Sequence, residues 1–279
     1  MLEIDKFLVA ESTELEGLSW YEITSKLGLL SFNLQGNKPI EHIAKLARIT
    51  ESSKILVVGC GTGGTTVHLA EMTGSAVVGI DISQESIQSA NELASKSPAR
   101  EKLHFTFGDA TKLDFPANTF DVVITEFMAF FLPPQAFEGF LTVLKPGGVL
   151  TMAELVKDPG VTPKADEKIL ATEKIYSELL GYKFHIPLVT EYIDWLTHAG
   201  FKQVRVEENI TQPSVRERIK SAGGWKQIFK IIKVMVRLMR NSPVLKKKFI
   251  QVGRVKRILY QIRPTAKYIS QAILIGHKS

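Results

Sequence analysis

The chain has 279 residues, 44% hydrophobic and 23% charged, a balance typical of a globular protein with one large core or two small ones. A single cysteine, Cys60, excludes an internal disulfide framework and a cysteine-based zinc cluster, and suits a reducing, cytoplasmic setting. The net charge of +6 is uneven: residues 214–264 hold fifteen Lys/Arg and one acid (+14), leaving 20 bases and 28 acids (−8) elsewhere.

The opening MLEIDKFLVAES carries early acids, which argues against a secretory leader. No uncharged apolar run reaches the roughly 18 residues of a spanning helix. Trp20 and Tyr21 precede Leu27-Gly28-Leu29-Leu30; these aromatics either pack on a sheet or help close a site. Asn37 and Pro39 mark a helix start, with Ile40, Ile43, Ala44 and Ala47 at helical spacing. Lys54–Thr66, KILVVGCGTGGTT, then reads as strand, glycine turn and helix. Glycines there let the backbone approach a ligand, and the helix start presents unpaired N–H groups. A second strand, Ala76–Asp81, ends in an acid that can accept both hydroxyls of a ribose. Gly59, Gly61 and Gly64 fit the dinucleotide fingerprint, with the acid about 20 residues on. Gly59, Gly61 and Gly63 fit GxGxG, which suits S-adenosylmethionine, so the turn alone leaves both cofactors open.

Ser83 caps a helix carrying Ile87, Ala90, Leu93 and Ala94, and Pro98 ends it. Leu103–Phe107 is a third strand, closed by Gly108-Asp109-Ala110, and Phe120–Thr125 a fourth. Pro133-Pro134 opens a helix with Phe137, Phe140, Leu141 and Leu144. Lys145-Pro146-Gly147-Gly148 then turns the chain into a fifth strand, Val149–Ala153. Tyr192, Trp195 and Leu196 mark a helix before a sixth strand through Val204, Val206 and Ile210. Ala266–His277 alternates as a seventh strand. Strands alternating with helices place the chain in the α/β class, with ligands at the carboxyl ends of the strands. Those ends carry Gly59–Gly63, Asp81, Asp109, Glu126 and Glu154.

Taken in order, ILVVGCGTGG, VVGIDIS, FTFGDATKLDFPANTFDVVITEF and VLKPGGVL, over roughly residues 50–155, resemble the class I S-adenosylmethionine-dependent methyltransferases. The likeness is to the small-molecule type that includes quinone, sterol and phosphoethanolamine methyltransferases. A nicotinamide enzyme has no reason to carry GDA, FDVV and LKPGG at these intervals. The resemblance implies a doubly wound, Rossmann-like seven-stranded sheet with an antiparallel last strand. The expected parts are a helical cap (1–48), a cofactor core (49–155), a lid insertion (156–187), more core (188–212), a basic amphipathic insert (213–264) and a final strand (265–279). It also implies that the backbone at Gly59, Cys60, Gly61 and Gly63 lies against the methionine portion. Asp81 would hold the ribose and Ile82 pack on the adenine. Asp109 would accept from the adenine amino group with Ala110 beside the ring, and Thr125 face the cofactor's amino group through its backbone. Cys60 reads as a small turn residue. The chain departs from the family at Val57, where an acid usually supports the amino-acid portion.

A methyl group on a sulfonium is already activated, so transfer needs an acceptor held in line about 3 Å away and no metal. The histidines His42, His68, His104, His185, His198 and His277 show no ligand spacing. Glu126 is the candidate base for an acceptor that must lose a proton, while Tyr21 or His185 would orient a hydroxyl. The acceptor expected is small or lipophilic, quinone-like or lipid. RNA or protein methylation, and cofactor binding without catalysis, are the alternatives.

In the basic segment Trp225, Ile228, Phe229, Ile232, Met235, Val236 and Met239 recur opposite Lys226, Lys230, Lys233, Arg237 and Arg240, two faces of one helix. A second basic helix follows Pro243. The pair either packs on the protein's own core, lies on an anionic membrane surface through residues 223–263, or binds nucleic acid. The basic stripe lacks interleaved exposed aromatics, which counts against nucleic acid. The expected location is therefore cytoplasmic or peripheral to a membrane.

Overall fold

The computed structural model describes residues 12–26, 37–210, 224–261 and 265–279. The Leu27–Leu30 stretch and residues 213–223 and 262–264 of the basic insert lie outside the described residues. The described chain divides into a sheet unit (residues 37–159, 186–210 and 270–279) and a helical unit (12–26, 160–185, 224–261 and 265–269).

In the sheet unit, apolar runs make seven strands: β1 Lys54–Val58, β2 Ala76–Asp81, β3 Leu103–Phe107, β4 Phe120–Glu126, β5 Leu144–Lys157, β6 Lys202–Ile210 and β7 Ile269–His277. Their order is β3-β2-β1-β4-β5-β7-β6. β1 to β5 pair in parallel, and β6 and β7 run antiparallel to one another. The expected antiparallel last strand is present. Strand order reverses between β1 and β4, which sets the switch point at the end of β1. Side chains alternate between faces. Leu56, Val58, Val123, Leu150 and Met152 join Phe137, Phe140, Tyr192 and Leu196 in one core. Ile55, Val57, Val122, Ile124 and Ala153 join Ile40, Ile43, Leu69 and Ala90 in the other. Helices α3 Lys38–Leu46, α4 Gly64–Thr73 and α5 Gln84–Ala94 supply the second face; α6 Ala136–Val143 and α8 Val189–His198 supply the first.

Three boundaries differ from the sequence pattern. The Lys145–Gly148 stretch is part of β5, because Gly147 N–H donates to Lys278 O (3.0 Å) and Lys278 N–H donates to Gly148 O (2.9 Å), which extends the ladder. Residues 266–268 form a single tight turn, with Tyr268 N–H donating to Thr265 O (3.0 Å), so β7 begins only at Ile269. Single turns also occupy 129–131 and the stretch after Pro133, so α6 begins at Ala136.

The helical unit contains α1 Ser12–Glu16, α2 Trp20–Lys26, α7 Pro163–Leu180, α9 Gly224–Asn241 and α10 Pro243–Tyr260. Pro163 starts α7, and Gly181, at φ +77°, stops it, as helix ends favour. α10 packs on both α7 and α9. It buries Leu245, Phe249, Val252, Val255 and Leu259. Trp20 meets the Phe249 ring edge-on at 5.0 Å, and Lys248 Nζ donates to Glu16 O (2.9 Å) and to Leu18 O. Among the described residues no helix is long and apolar enough to cross a membrane. Phe249→Ala removes the aromatic contact and opens a cavity; it is expected to destabilise the protein by about 3–5 kcal/mol, measured by urea denaturation.

Candidate active site

The glycine turn is fastened to the end of β2. Gly59 N–H (2.8 Å) and Cys60 N–H (2.9 Å) both donate to Ile80 O. Gly61 N–H donates to Asp81 Oδ2 (2.9 Å), and Ser83 N–H donates to Asp81 Oδ1 (2.9 Å). The Ser83 hydroxyl in turn accepts from Ser86 N–H (3.1 Å) and starts α5. Gly59, Gly61 and Gly63 take φ of +71°, +54° and +83°, which L side chains rarely adopt. A Cβ on Gly59 would stand 2.7 Å from Met128 Cγ, and one on Gly63 2.9 Å from Ala90 Cβ. A Cβ on Gly61 or Gly64 would meet nothing within 4 Å. The turn is therefore packed on its inner side and open at Gly61 and at the first turn of α4, where helix N–H groups are unpaired.

Next to this opening stand two exposed apolar side chains. Ile82 follows Asp81, and Phe107, 54% exposed, ends β3 directly opposite Asp81 in the register. Asp109 Oδ1 accepts from Thr111 N–H (2.8 Å) and from the Thr111 hydroxyl (2.7 Å). These bonds hold its carboxyl below the usual range. Ala110 is buried beside it. Burial, reinforced by the charge of Asp81, pushes the Cys60 thiol well up, so it is protonated and a poor nucleophile. Val57 is buried between Gly79 and Ile124 of the neighbouring strands; a carboxylate there would need a partner that apolar wall does not offer. An open glycine edge, a strand-end carboxylate and flanking apolar side chains fit a nucleoside cofactor. Phe107 was not singled out by the sequence, whose only signal was an aromatic residue ending a strand just before Gly108.

At the end of β4, Thr125 pairs with Val58 on one side and Met152 on the other. Glu126, half-buried, stands opposite Ala153. Phe127 then takes φ +54°, a strained value for a bulky residue, and its N–H donates to Ala153 O (3.0 Å). Met128, next in this loop, is the residue that packs against Gly59. Glu154 does not end a strand as the sequence suggested; β5 continues to Lys157 and buries it completely. Neither of its oxygens closes a hydrogen bond, and the buried hydroxyls of Thr125 and Tyr192 also lack partners. Burial raises the Glu154 pKa to about 8, against the weaker pull of the Thr125 hydroxyl and the Ala129 and Met128 amides; the charge of Glu126 adds to the rise. Burial, with the charge of Glu154, also pushes the Tyr192 phenol well up. Tyr21 and His185 belong to the helical unit. The Tyr21 ring meets Tyr182 edge-on at 5.5 Å, and His185 Nδ1 lies 2.9 Å from buried Glu173 Oε2. Among the described residues no group of three or more His, Cys, Asp or Glu is placed to hold a metal ion.

Residues 49–183 match the family model described as "Methyltransferase domain". Over 212 residues the chain is 30% identical to a phosphoethanolamine N-methyltransferase of Triticum aestivum, covering 75% of this chain and 39% of that one. It is 35% identical over 153 residues to a sterol 24-C-methyltransferase of Kluyveromyces lactis, covering 53% of this chain and 40% of the relative. The chain thus spans about two fifths of the length of these relatives. The phosphoethanolamine N-methyltransferase 2 of Haemonchus contortus, solved with phosphomonomethylethanolamine and S-adenosylhomocysteine, superposes with a TM-score of 0.60 at 16% identity. That match covers all of this chain and 61% of the solved one, and at this identity it speaks for the fold.

Glu154 sets a pH signature. Its folded pKa, about 8, lies above the value of 4.5 for a free side chain, so the folded state keeps a proton that the unfolded state releases. Stability is therefore full below about pH 4.5, falls as the pH rises toward 8 and then levels, by on the order of a few kcal/mol. Glu154→Gln should flatten that slope relative to the parent in urea denaturation at pH 5, 7 and 9.

Proposed function

We propose, from the match of residues 49–183 to the methyltransferase-domain model, that the protein methylates a small or lipophilic acceptor. The observation that carries the reading is the open edge at Gly61 beside Asp81, flanked by Ile82 and Phe107. S-adenosylmethionine, when bound, supplies a methyl group already activated as part of a sulfonium. Gly61 and the first amides of α4 would lie against its amino-acid portion. Asp81, which also holds Gly61 and Ser83, would accept from the ribose hydroxyls. Ile82 and Phe107 would flank the adenine, with Ala110 beside the ring and Asp109 accepting from its amino group. With Val57 in place of the usual acid, the end of β4 at Thr125 is left to receive the cofactor's amino group through backbone acceptors.

Glu126 would take the acceptor's proton onto a carboxylate oxygen. Burial favours the neutral form of Glu154, so that neighbour would add less competing charge beside Glu126. The relatives are named for phosphoethanolamine and for a sterol, which supports acceptors that are small polar headgroups or lipids rather than RNA or protein. Tyr21 or His185 would orient an acceptor hydroxyl.

S-adenosylhomocysteine should raise the melting temperature and NAD should not, and Asp81→Ala should abolish the shift; stabilisation by NAD alone would end the cofactor reading. Labelled S-adenosylmethionine, given with a whole extract, should label the lipid or small-molecule fraction. Label in RNA or protein would overturn the acceptor class. No label anywhere, with homocysteine-analogue binding intact, would favour a binding protein without catalysis. Glu126→Gln should lower turnover about 10²- to 10⁴-fold while leaving the thermal shift unchanged.

A further inference from the structure

Helix α9 carries more apolar surface than the protein covers. Of its described residues, Val234 and Leu238 are buried, and the helix packs against α10. The apolar face read from the sequence points elsewhere: Trp225, Phe229, Ile232 and Val236 are 60%, 65%, 47% and 44% exposed. Their spacing of four, three and four places them in one stripe along about three helical turns. The Trp225 and Phe229 rings lie 6.1 Å apart within it. Exposed apolar residues scattered singly are ordinary, whereas a continuous stripe marks an interaction surface.

One flank of the stripe is cationic. Lys226, Lys233, Arg237 and Arg240 are all exposed and fall about 50–110° round one side of the helix from the stripe's centre, counting about 100° per residue. Residues 224–261 hold eleven Lys/Arg and no acid. The neighbouring α10 is equally basic but buries Leu245, Phe249, Val252, Val255 and Leu259, leaving only Val244 and Ile250 of its described large apolar residues exposed, each at 44%. The two helices of the basic insert therefore differ: α10 builds the helical unit, and α9 leaves an apolar and a cationic strip side by side in water.

This pairing selects the occupant. A nucleic acid would meet the cations and leave the apolar strip in water. An uncharged apolar partner would leave the cations unanswered. An anionic bilayer surface meets both, taking the apolar stripe at the acyl boundary while phosphates face Lys and Arg. Trp is also suited to that boundary, being apolar with one polar N–H. We propose that α9 docks the protein lengthwise on an anionic lipid surface through Trp225, Phe229, Ile232 and Val236, with Lys226, Lys233, Arg237 and Arg240 toward the headgroups. The protein would then be peripheral to a membrane, whichever acceptor it methylates.

The test uses the full chain with phosphatidylcholine vesicles, with and without phosphatidylglycerol, at about 0.1 M salt, where charges act over about 10 Å. Co-sedimentation should require the anionic lipid, and tryptophan emission should shift to the blue, a shift lost in Trp225→Phe with binding retained. Phe229→Ser with Ile232→Ser should weaken binding at least tenfold. Lys226→Glu with Lys233→Glu and Arg237→Glu should weaken it about a hundredfold or more. All substituted positions are exposed, and unchanged melting temperatures would verify that the variants fold. Any one of four results would overturn the proposal: no binding to anionic vesicles; vesicle binding indifferent to the Phe229 and Ile232 changes; RNA binding with a steep salt slope in place of vesicle binding; or self-association that Phe229→Ser abolishes, without vesicle binding.

Discussion

The carboxylate of Asp81 is the interaction on which the site depends. One oxygen holds the Gly61 amide and the other the Ser83 amide, so a single side chain fixes both the glycine turn and the entry to α5. The turn needs such an anchor. Three residues at positive φ have no helix or strand ladder of their own, and glycine loses more backbone freedom on ordering than any other residue. Charge-assisted bonds to backbone N–H are the stronger kind. Burial, with the same charge added, suppresses ionisation of Cys60, which keeps the cysteine a spacer in the turn.

The ends of β4 and β5 show the opposite use of a carboxyl group. Glu126 is half-buried, while Glu154, reached one residue further along the paired strand, is fully buried and without a hydrogen bond. Burial, with the charge of Glu126 adding to it, favours the neutral form of Glu154. Unpaired polar groups at this depth are destabilising, and Thr125, Glu154 and Tyr192 are three such groups in the sheet unit. Beside them Phe127 holds a left-handed backbone and Met128 reaches Gly59. Strain and unmet polar capacity therefore meet at the loop that follows β4, next to the glycine turn.

Much of this was legible in the sequence because strand alternation and strand-end motifs are local. The order of the strand-end motifs pointed to the fold class and placed Gly59, Asp81, Asp109 and Glu126 at strand ends, the Ser83 cap followed from a short-range pattern, and the antiparallel β7 from the family resemblance. What escaped depended on neighbours distant in the chain. Glu154 looked like a strand-end acid because nothing near it in sequence shows that β5 runs on to Lys157. Phe107 looked like an ordinary strand residue because its exposure depends on what lies past β3. The apolar face of α9 was visible as a 3.6-residue period, but periodicity reports that a face exists, not which neighbour covers it. Val234 and Leu238, outside that face, are the residues the fold buries.

The charge pattern of α9 carries this one step further. Lys226, Lys230, Lys233, Arg237 and Arg240 follow one another at intervals of four, three, four and three. Like charges at these spacings are neighbours on a helix, and each such pair destabilises it by about 0.2–0.5 kcal/mol. Acids interspersed at the same intervals would have relieved the repulsion, and residues 224–261 contain none. The apolar stripe adds a second unfavourable term, since its residues remain 44–65% exposed to water. Neither feature helps the isolated protein fold, in contrast with Lys248 of α10, whose ammonium is satisfied by two backbone carbonyls. A helix that is electrostatically repelled from itself and apolar on its open side reaches lower free energy only against something both negatively charged and able to take up hydrocarbon, which is the physical description of a lipid interface rather than of a protein core.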